Sequence, residues 1–167
     1  EIYRGTNGSI SQLWRDANNM IQYMARGDSV QFGKEGVLQV DAYKNAIILP
    51  NGLPMFYHGL AAEKSERGYE YTYRTRKGPN RIYGGKVVEN VCQAVARCII
   101  GHQMILLAKK YKAVLTVHDS IITCVPDEEL VEAQAYMEEC MSQTPDWAKG
   151  LPITCESGTG KSYGECE

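Results

Sequence analysis

The sequence predicts an α+β fold in which helices pack on antiparallel strands. Three observations predict it. Apolar residues recur at helical spacing in three separate stretches. Between the first two lies a long segment of short β-branched and aromatic runs broken by turn residues. A pair of apolar, β-rich runs then meets at a lone carboxylate, in Ala113-Val114-Leu115-Thr116-Val117-His118-Asp119-Ser120-Ile121-Ile122-Thr123-Cys124-Val125. With 167 residues, 44% of them hydrophobic, the chain is long enough for one domain with a core.

Taken in order, residues from about Ile10 to Met24 are expected to form the first helix. Ser9 or Ser11 caps it, and Leu13, Trp14, Met20, Ile21 and Met24 supply its apolar face. Gly27-Asp28 stops it. A β-rich region follows, from about Ser29 to Tyr83. Val37 to Tyr43 and Asn45 to Leu49 are expected strands, Pro50-Asn51-Gly52 is a turn, and Leu53 to His58 returns as a strand. Residues 60–68 are polar and read as a loop. Tyr69 to Thr75 alternates as a half-exposed strand does, and Gly78-Pro79-Asn80 is expected to break it.

From about Lys86 to Lys110 the pattern is helical, with Val88, Val91, Val95, Cys98, Ile99, Ile105 and Leu106 placed to line a buried face. The strand pair around Asp119 comes next. Pro126-Asp127-Glu128-Glu129 opens a further helix, its first-turn acids matched to the positive end of the dipole. Leu130, Ala133, Met137, Cys140 and Met141 form its inner face. Leu151 to Glu156 reads as a short closing strand before a Gly-rich end. One region therefore divides into three parts: 1–28, 29–84 and 85–167.

Net charge is −2, but the charges are segregated. Arg74, Arg76, Lys77, Arg81 and Lys86 lie in a stretch with no acid, whereas Ala113 to Ala148 holds acids and neither Lys nor Arg. The basic stretch suits a polyanion as well as it suits a solvated loop. No apolar run approaches the ~20 residues of a membrane span, and the start has no apolar signal region. No membrane partner is expected, and the expected location is the cytoplasm. The chain begins without methionine, so a fragment or a processed chain is expected. Its six cysteines form no C-x-x-C pair and do not cluster with the three histidines. They read as buried, reduced thiols rather than as a zinc site.

His118-Asp119-Ser120 contains the residue types of a hydrolase triad. Adjacent positions on an extended chain project to different sides, so this reading is not favoured. The better reading is a metal-binding carboxylate: Asp119 on a rigid hairpin holds Mg²⁺ with little reorganisation, and His118 donates to a phosphate. An ordinary polar turn competes with it, and the hairpin alone does not choose between them. Gly158-Thr159-Gly160-Lys161-Ser162 is not a P-loop, because position 155 is Cys and too few residues follow for a helix. Glu89, Gln93 and Arg97, spaced by four, form one polar stripe with Asn90 beside it. The stripe is either a solvated face or, following the basic segment, a surface for bases and phosphates. Lys86 at the helix start can bind phosphate with the free backbone N–H groups there. Tyr69, Tyr71, Tyr73 and Tyr83 interleave with Arg74, Arg76 and Arg81; tyrosines of a half-buried strand are favoured over a stacking platform.

Together these segments resemble the C-terminal part of a family A DNA polymerase, most closely the bacteriophage branch. Tyr3-Arg4, Asn7 and Leu13-Trp14-Arg15 resemble the helix after the fingers. Leu49-Pro50-Asn51-Gly52 resembles the L-P-S-G turn. Tyr83-Gly84-Gly85-Lys86, Glu89-Asn90 and Gln93-Ala94-Val95-Ala96-Arg97 resemble the phage-type Y-G-G-K…E-N…Q-A-x-A-R helix. Val117-His118-Asp119 resembles the third polymerase motif, V-H-D-E, and Ile153 to Gly158 the closing palm strand. The combination of helix and hairpin is specific where either alone is not.

The resemblance implies a palm-type antiparallel sheet carrying a metal-carboxylate hairpin, with residues 29–84 as a β-rich insertion. It implies template-directed nucleotidyl transfer, with Asp119 as one of two carboxylates binding a Mg²⁺ pair and His118 at the primer-terminal phosphate. Gln93 would hydrogen-bond primer–template DNA in the minor groove. Glu89, Asn90 and Arg97 lie near that surface, with Arg81 and Lys86 from the basic segment. The implied partners are primer–template DNA, dNTP and the N-terminal remainder of a polymerase. Position 120 is Ser where the family has Glu, which is expected to tune rather than abolish the chemistry. The family's other catalytic Asp motif and its nucleotide-binding fingers helix are not found in these residues. The expectation is therefore half a site, inactive alone. The second reading is a non-catalytic fragment that binds DNA or a partner chain, with exposed apolar residues where other polymerase segments pack.

Overall fold

The computed structural model describes residues 5–33, 36–66 and 68–166. It is α+β, and all its strand pairs are antiparallel. The chain divides into two compact units, Glu1–Val95 and Ala96–Glu167, with the longest helix running through the division. Tyr3 and Arg4, two of the residues that carry the family resemblance, lie outside the described residues.

In the first unit, helix α1 spans Gly8–Arg26. It starts earlier than its apolar spacing implies, so Ser9 and Ser11 sit inside it instead of capping it. The carbonyl of Asn7 accepts the Ser11 N–H at 3.1 Å, which makes Asn7, a favoured residue type there, the N-cap. At the other end Gly27 takes φ 91°. Its N–H reaches Met24 O and the Asp28 N–H reaches Tyr23 O, a Schellman closure that only a left-handed residue completes. Ala17, Met20, Ile21 and Met24 are buried, at the i, i+3, i+4, i+7 spacing of one helix face. Leu13 remains exposed, so the buried face begins a turn later than expected.

Strands β1 (Gln31–Phe32), β2 (Leu38–Asp41), β3 (Ala46–Ile48) and β4 (Pro54–Phe56) form a meander in chain order. Leu38 and Val40 point inward and Gln39 outward, the two-residue alternation of a sheet with one wet face. The Pro50-Asn51-Gly52 turn forms as expected. Gly52 adopts φ 84°, its N–H reaches Leu49 O at 2.8 Å, and Asn51 Oδ1 accepts the Leu53 N–H at 3.1 Å.

A second sheet follows: β5 (Ala61–Ser65), β6 (Gly68–Thr75) and β7 (Gly78–Ile82), ordered β5-β6-β7. Much of the polar 60–68 segment is strand, because it pairs with β6 from Ala61↔Thr72 to Ser65↔Gly68. Its side chains are almost all exposed, so it shows no apolar alternation. Gly78-Pro79-Asn80 begins a strand rather than ending one. Pro79 lies on an edge, where its missing N–H can be spared from the ladder.

Helix α2 spans Gly84–Leu107. Gly84 packs directly on α1: a Cβ there would lie 1.9 Å from the Trp14 carbonyl oxygen. Val87, Cys98, Ile99, Ile100, Gln103 and Leu107 are buried, whereas Ile105, expected inside, is 69% exposed. Val88, Val91, Val95 and Leu106 are half-buried. Hairpin strands β8 (Ala113–Val117) and β9 (Ser120–Thr123) precede a 3₁₀ turn, Asp127–Glu129, and helix α3 (Leu130–Met141). The core of this second unit joins Ile100, Leu107, Tyr111, Ile121, Ala133 and Cys140. Leu130, expected on the inner face of α3, is exposed.

Leu151–Glu156 forms no strand. Side chains hold the segment around it instead: the Cys155 thiol lies 3.5 Å from Glu138 O, and Gln134 Nε2 donates to Ser157 Oγ at 2.8 Å. Among the described residues, β8 and β9 therefore pair only with each other. The cysteine expectation also needs correction. Cys98 and Cys140 are buried, but Cys92 and Cys124 are exposed and Cys155 and Cys166 partly so. No helix among the described residues is long and apolar enough to cross a membrane.

Candidate carboxylate hairpin and nucleic-acid interface

Val117 faces Ser120 across β8 and β9, so the connection is the two-residue turn His118-Asp119. A loop that short needs unusual backbone dihedrals, and His118 takes φ 52°. Histidine is among the non-glycine residues enriched in that region. Ile121 anchors β9 in the core, while His118, Asp119 and Ser120 are exposed. Their side chains make no hydrogen bond to one another among the described residues, so the triad is not assembled.

The turn fits one role in a metal site. Mg²⁺ is held by one or two carboxylates together with water and substrate phosphates rather than by an all-protein cage. Asp119 offers one such hard oxygen donor on a short, anchored turn. It fits as a single ligand and no more: among the described residues no three His, Cys, Asp or Glu side chains gather as a metal-binding group.

On α2, Glu89, Gln93 and Arg97 are all exposed and follow one another a turn apart, as their spacing implies. Lys86 meets Glu89 at 2.7 Å, and that hydrogen bond holds the ammonium pKa above the ordinary lysine value. Asn90, placed by sequence beside the polar stripe, is half-buried and donates from Nδ2 to the Tyr57 hydroxyl at 3.2 Å. Its amide N–H therefore already has a structural partner. Tyr57 is 2% exposed, and burial pushes its phenol pKa up.

Arg81 is ion-paired with Glu70 at 2.6 Å across β6 and β7. The basic stretch thus divides. Arg81 and Lys86 have acidic neighbours, while Arg74, Arg76 and Lys77 have no ion-pair partner among the described residues. Sequence spacing could not reveal this, because Glu70 reaches Arg81 only through strand register. The tyrosines divide as well. Tyr71 is buried and Tyr73 packs edge-on against Tyr57, whereas Tyr69 and Tyr83 are exposed and line a groove with Arg81 and Asn18. Lys161, in the Gly-rich end, pairs with Asp127, and the next helical element among the described residues is a 3₁₀ turn, Tyr163–Glu165.

A DNA polymerase of Bacillus phage SP02 is 38% identical to this chain over 172 aligned residues. The alignment covers 93% of the chain and 25% of the phage protein. The chain therefore spans about a quarter of the length of the relative it matches. No family model matches the sequence, and no solved structure does.

Proposed function

We propose that this chain is a segment of a DNA-directed DNA polymerase, of the family A bacteriophage type, and that its hairpin supplies one of the two metal-binding carboxylates of a palm. The observation that carries this reading is the exposed Asp119 on a two-residue turn, in a chain that aligns along nearly its whole length with a phage DNA polymerase. The short loop and the burial of Ile121 limit how far the carboxylate can wander, as a metal ligand requires. His118, beside it, would donate to a phosphate oxygen of the primer end. Gln93 and Arg97, exposed on α2 and without hydrogen-bond or ion-pair partners among the described residues, supply contacts to primer–template DNA. Mg²⁺ held at Asp119 would supply positive charge to the reacting phosphate oxygens. The second carboxylate would come from a segment outside this sequence, as would the site for the incoming dNTP.

Primer extension by the full-length protein that carries this sequence tests the reading. Asp119→Ala is expected to lower the extension rate by about 10³-fold or more, the scale on which a lost catalytic group is felt. DNA affinity and the circular dichroism spectrum should change little. Near-normal extension by the variant would overturn the assignment. DNA binding by a parent that shows no extension would favour the second reading, a segment that binds DNA without chemistry of its own. The exposed Gln93 and Arg97 of α2, which can meet DNA without any chemistry, are the observation behind that reading.

A further inference from the structure

We infer that the β6–β7 hairpin tip is a separate contact for the phosphate backbone of duplex DNA, made by Arg76 and Lys77 with Arg74 behind them. The inference rests on the polymerase reading for its partner, and on the hairpin itself for its geometry. Thr75 faces Gly78 across the strands, so Arg76 and Lys77 are the two residues of the turn. Gly78 takes φ 116°. Thr75 locks the turn from inside: its Oγ1 donates to Gly78 O at 2.8 Å and accepts the Lys77 N–H at 3.2 Å. Two cations are thereby presented on an ordered tip, and both are exposed.

Arg74 sits two residues behind the turn, opposite Pro79. Its backbone N–H is bound to His58 O at 2.8 Å. Its guanidinium passes so close to Gly59 that a Cβ there would lie 2.6 Å from Nε. Gly59, at φ 61°, leaves the room that the guanidinium occupies. None of the three has an acidic partner among the described residues, unlike Arg81 and Lys86. The turn carries no aromatic side chain, so it offers charge to phosphates and not a face to bases. Contacts of this kind add affinity without sequence preference, and each phosphate neutralised steepens the salt dependence.

The test is duplex DNA binding by the full-length protein across a salt series. It compares the parent, the double variant Arg76→Ala/Lys77→Ala, and the control Lys44→Ala, whose lysine already pairs with Asp41 at 3.1 Å. The double variant is expected to lose about 1.8 from the magnitude of the slope of log K against log[salt], about 0.9 for each lost phosphate contact. The loss should be the same on unrelated duplex sequences, with extension at saturating DNA unchanged. The control should keep the parent slope. A double variant with the parent slope overturns this inference while leaving the polymerase reading intact. A parent that neither binds duplex nor extends a primer overturns both. Arg76→Glu/Lys77→Glu should weaken binding further, and an unchanged affinity in that variant would likewise overturn the inference.

Discussion

At the scale of single residues, Gly84 shows how a position without a side chain can hold two elements together. Its φ is not left-handed, so conformational freedom is not the reason for glycine here. The reason is space: the atoms a Cβ would meet are the Trp14 carbonyl and the Asn18 nitrogen of α1, and backbone cannot swing aside as a side-chain tip can. Gly84→Ala is expected to destabilise the fold by about 2 kcal/mol or more, as overpacking of a close contact does. A urea midpoint equal to that of the parent would show that α1 and α2 can separate without cost. His118 differs from Gly84 in kind. Its positive φ is a small strain held by the hairpin around it, at the residue beside the proposed ligand.

At the scale of elements, the end of α3 depends on a side chain from α2. The last carbonyls of any helix lack partners within it. Gln103, 1% exposed, donates from Nε2 to Met141 O at 2.6 Å and to Gln143 O at 3.2 Å. Its own Oε1 is buried without a partner, so the residue serves the helix end as a donor. Gln103→Ala should cost about 2 kcal/mol, from a cavity plus the carbonyls left unmet. Gln103→Met, which keeps the volume and removes the orphaned oxygen, should cost less. Equal loss in both variants, read by urea denaturation, would assign the effect to the hydrogen bonds alone. The β5–β6–β7 sheet makes a different point about elements. Its edge strands are ordered by ladder hydrogen bonds, while one face of β6 carries the buried Tyr71.

At the scale of the whole molecule, the shifted titrating groups mostly favour low pH over high. Burial raises the Cys98, Tyr57 and Tyr136 pKa values, and carboxylates raise those of Lys86 and Lys110. In each case the folded chain holds its proton more tightly than the unfolded chain does. Stability from these groups is complete below their ordinary values and is lost as pH rises through the folded ones. Melting temperature should therefore fall progressively from about pH 9 upward, the ordinary range of these thiol, phenol and ammonium groups. Asp41, held down by Lys44, acts in the opposite direction: its contribution is complete above the ordinary aspartate value and is lost as pH falls through the folded one. A flat melting temperature from pH 8 to 11 would contradict this balance. The surface also leaves Ile105, Val114, Leu115 and Val131 exposed, 82% in the case of Val131.

The α+β class, the approximate positions of the helices, the stop at Gly27, the turn at Gly52 and the hairpin with Asp119 at its bend are legible in the residues alone. Each rests on local physics: apolar period, turn chemistry and caps are written in residues a few positions apart. The polar stripe of Glu89, Gln93 and Arg97 was legible for the same reason. Which site residues are already engaged follows instead from contacts between residues far apart in the chain. Asn90 finds Tyr57 from 33 positions away, and Arg81 finds Glu70 through strand register. Tertiary structure likewise made strands of 61–65 and 78–82, denied one to 151–156, and left Ile105 outside. A polar edge strand owes its order to the neighbour it pairs with, and an apolar side chain is buried only where another element arrives to cover it. Neither condition is carried by the residues themselves.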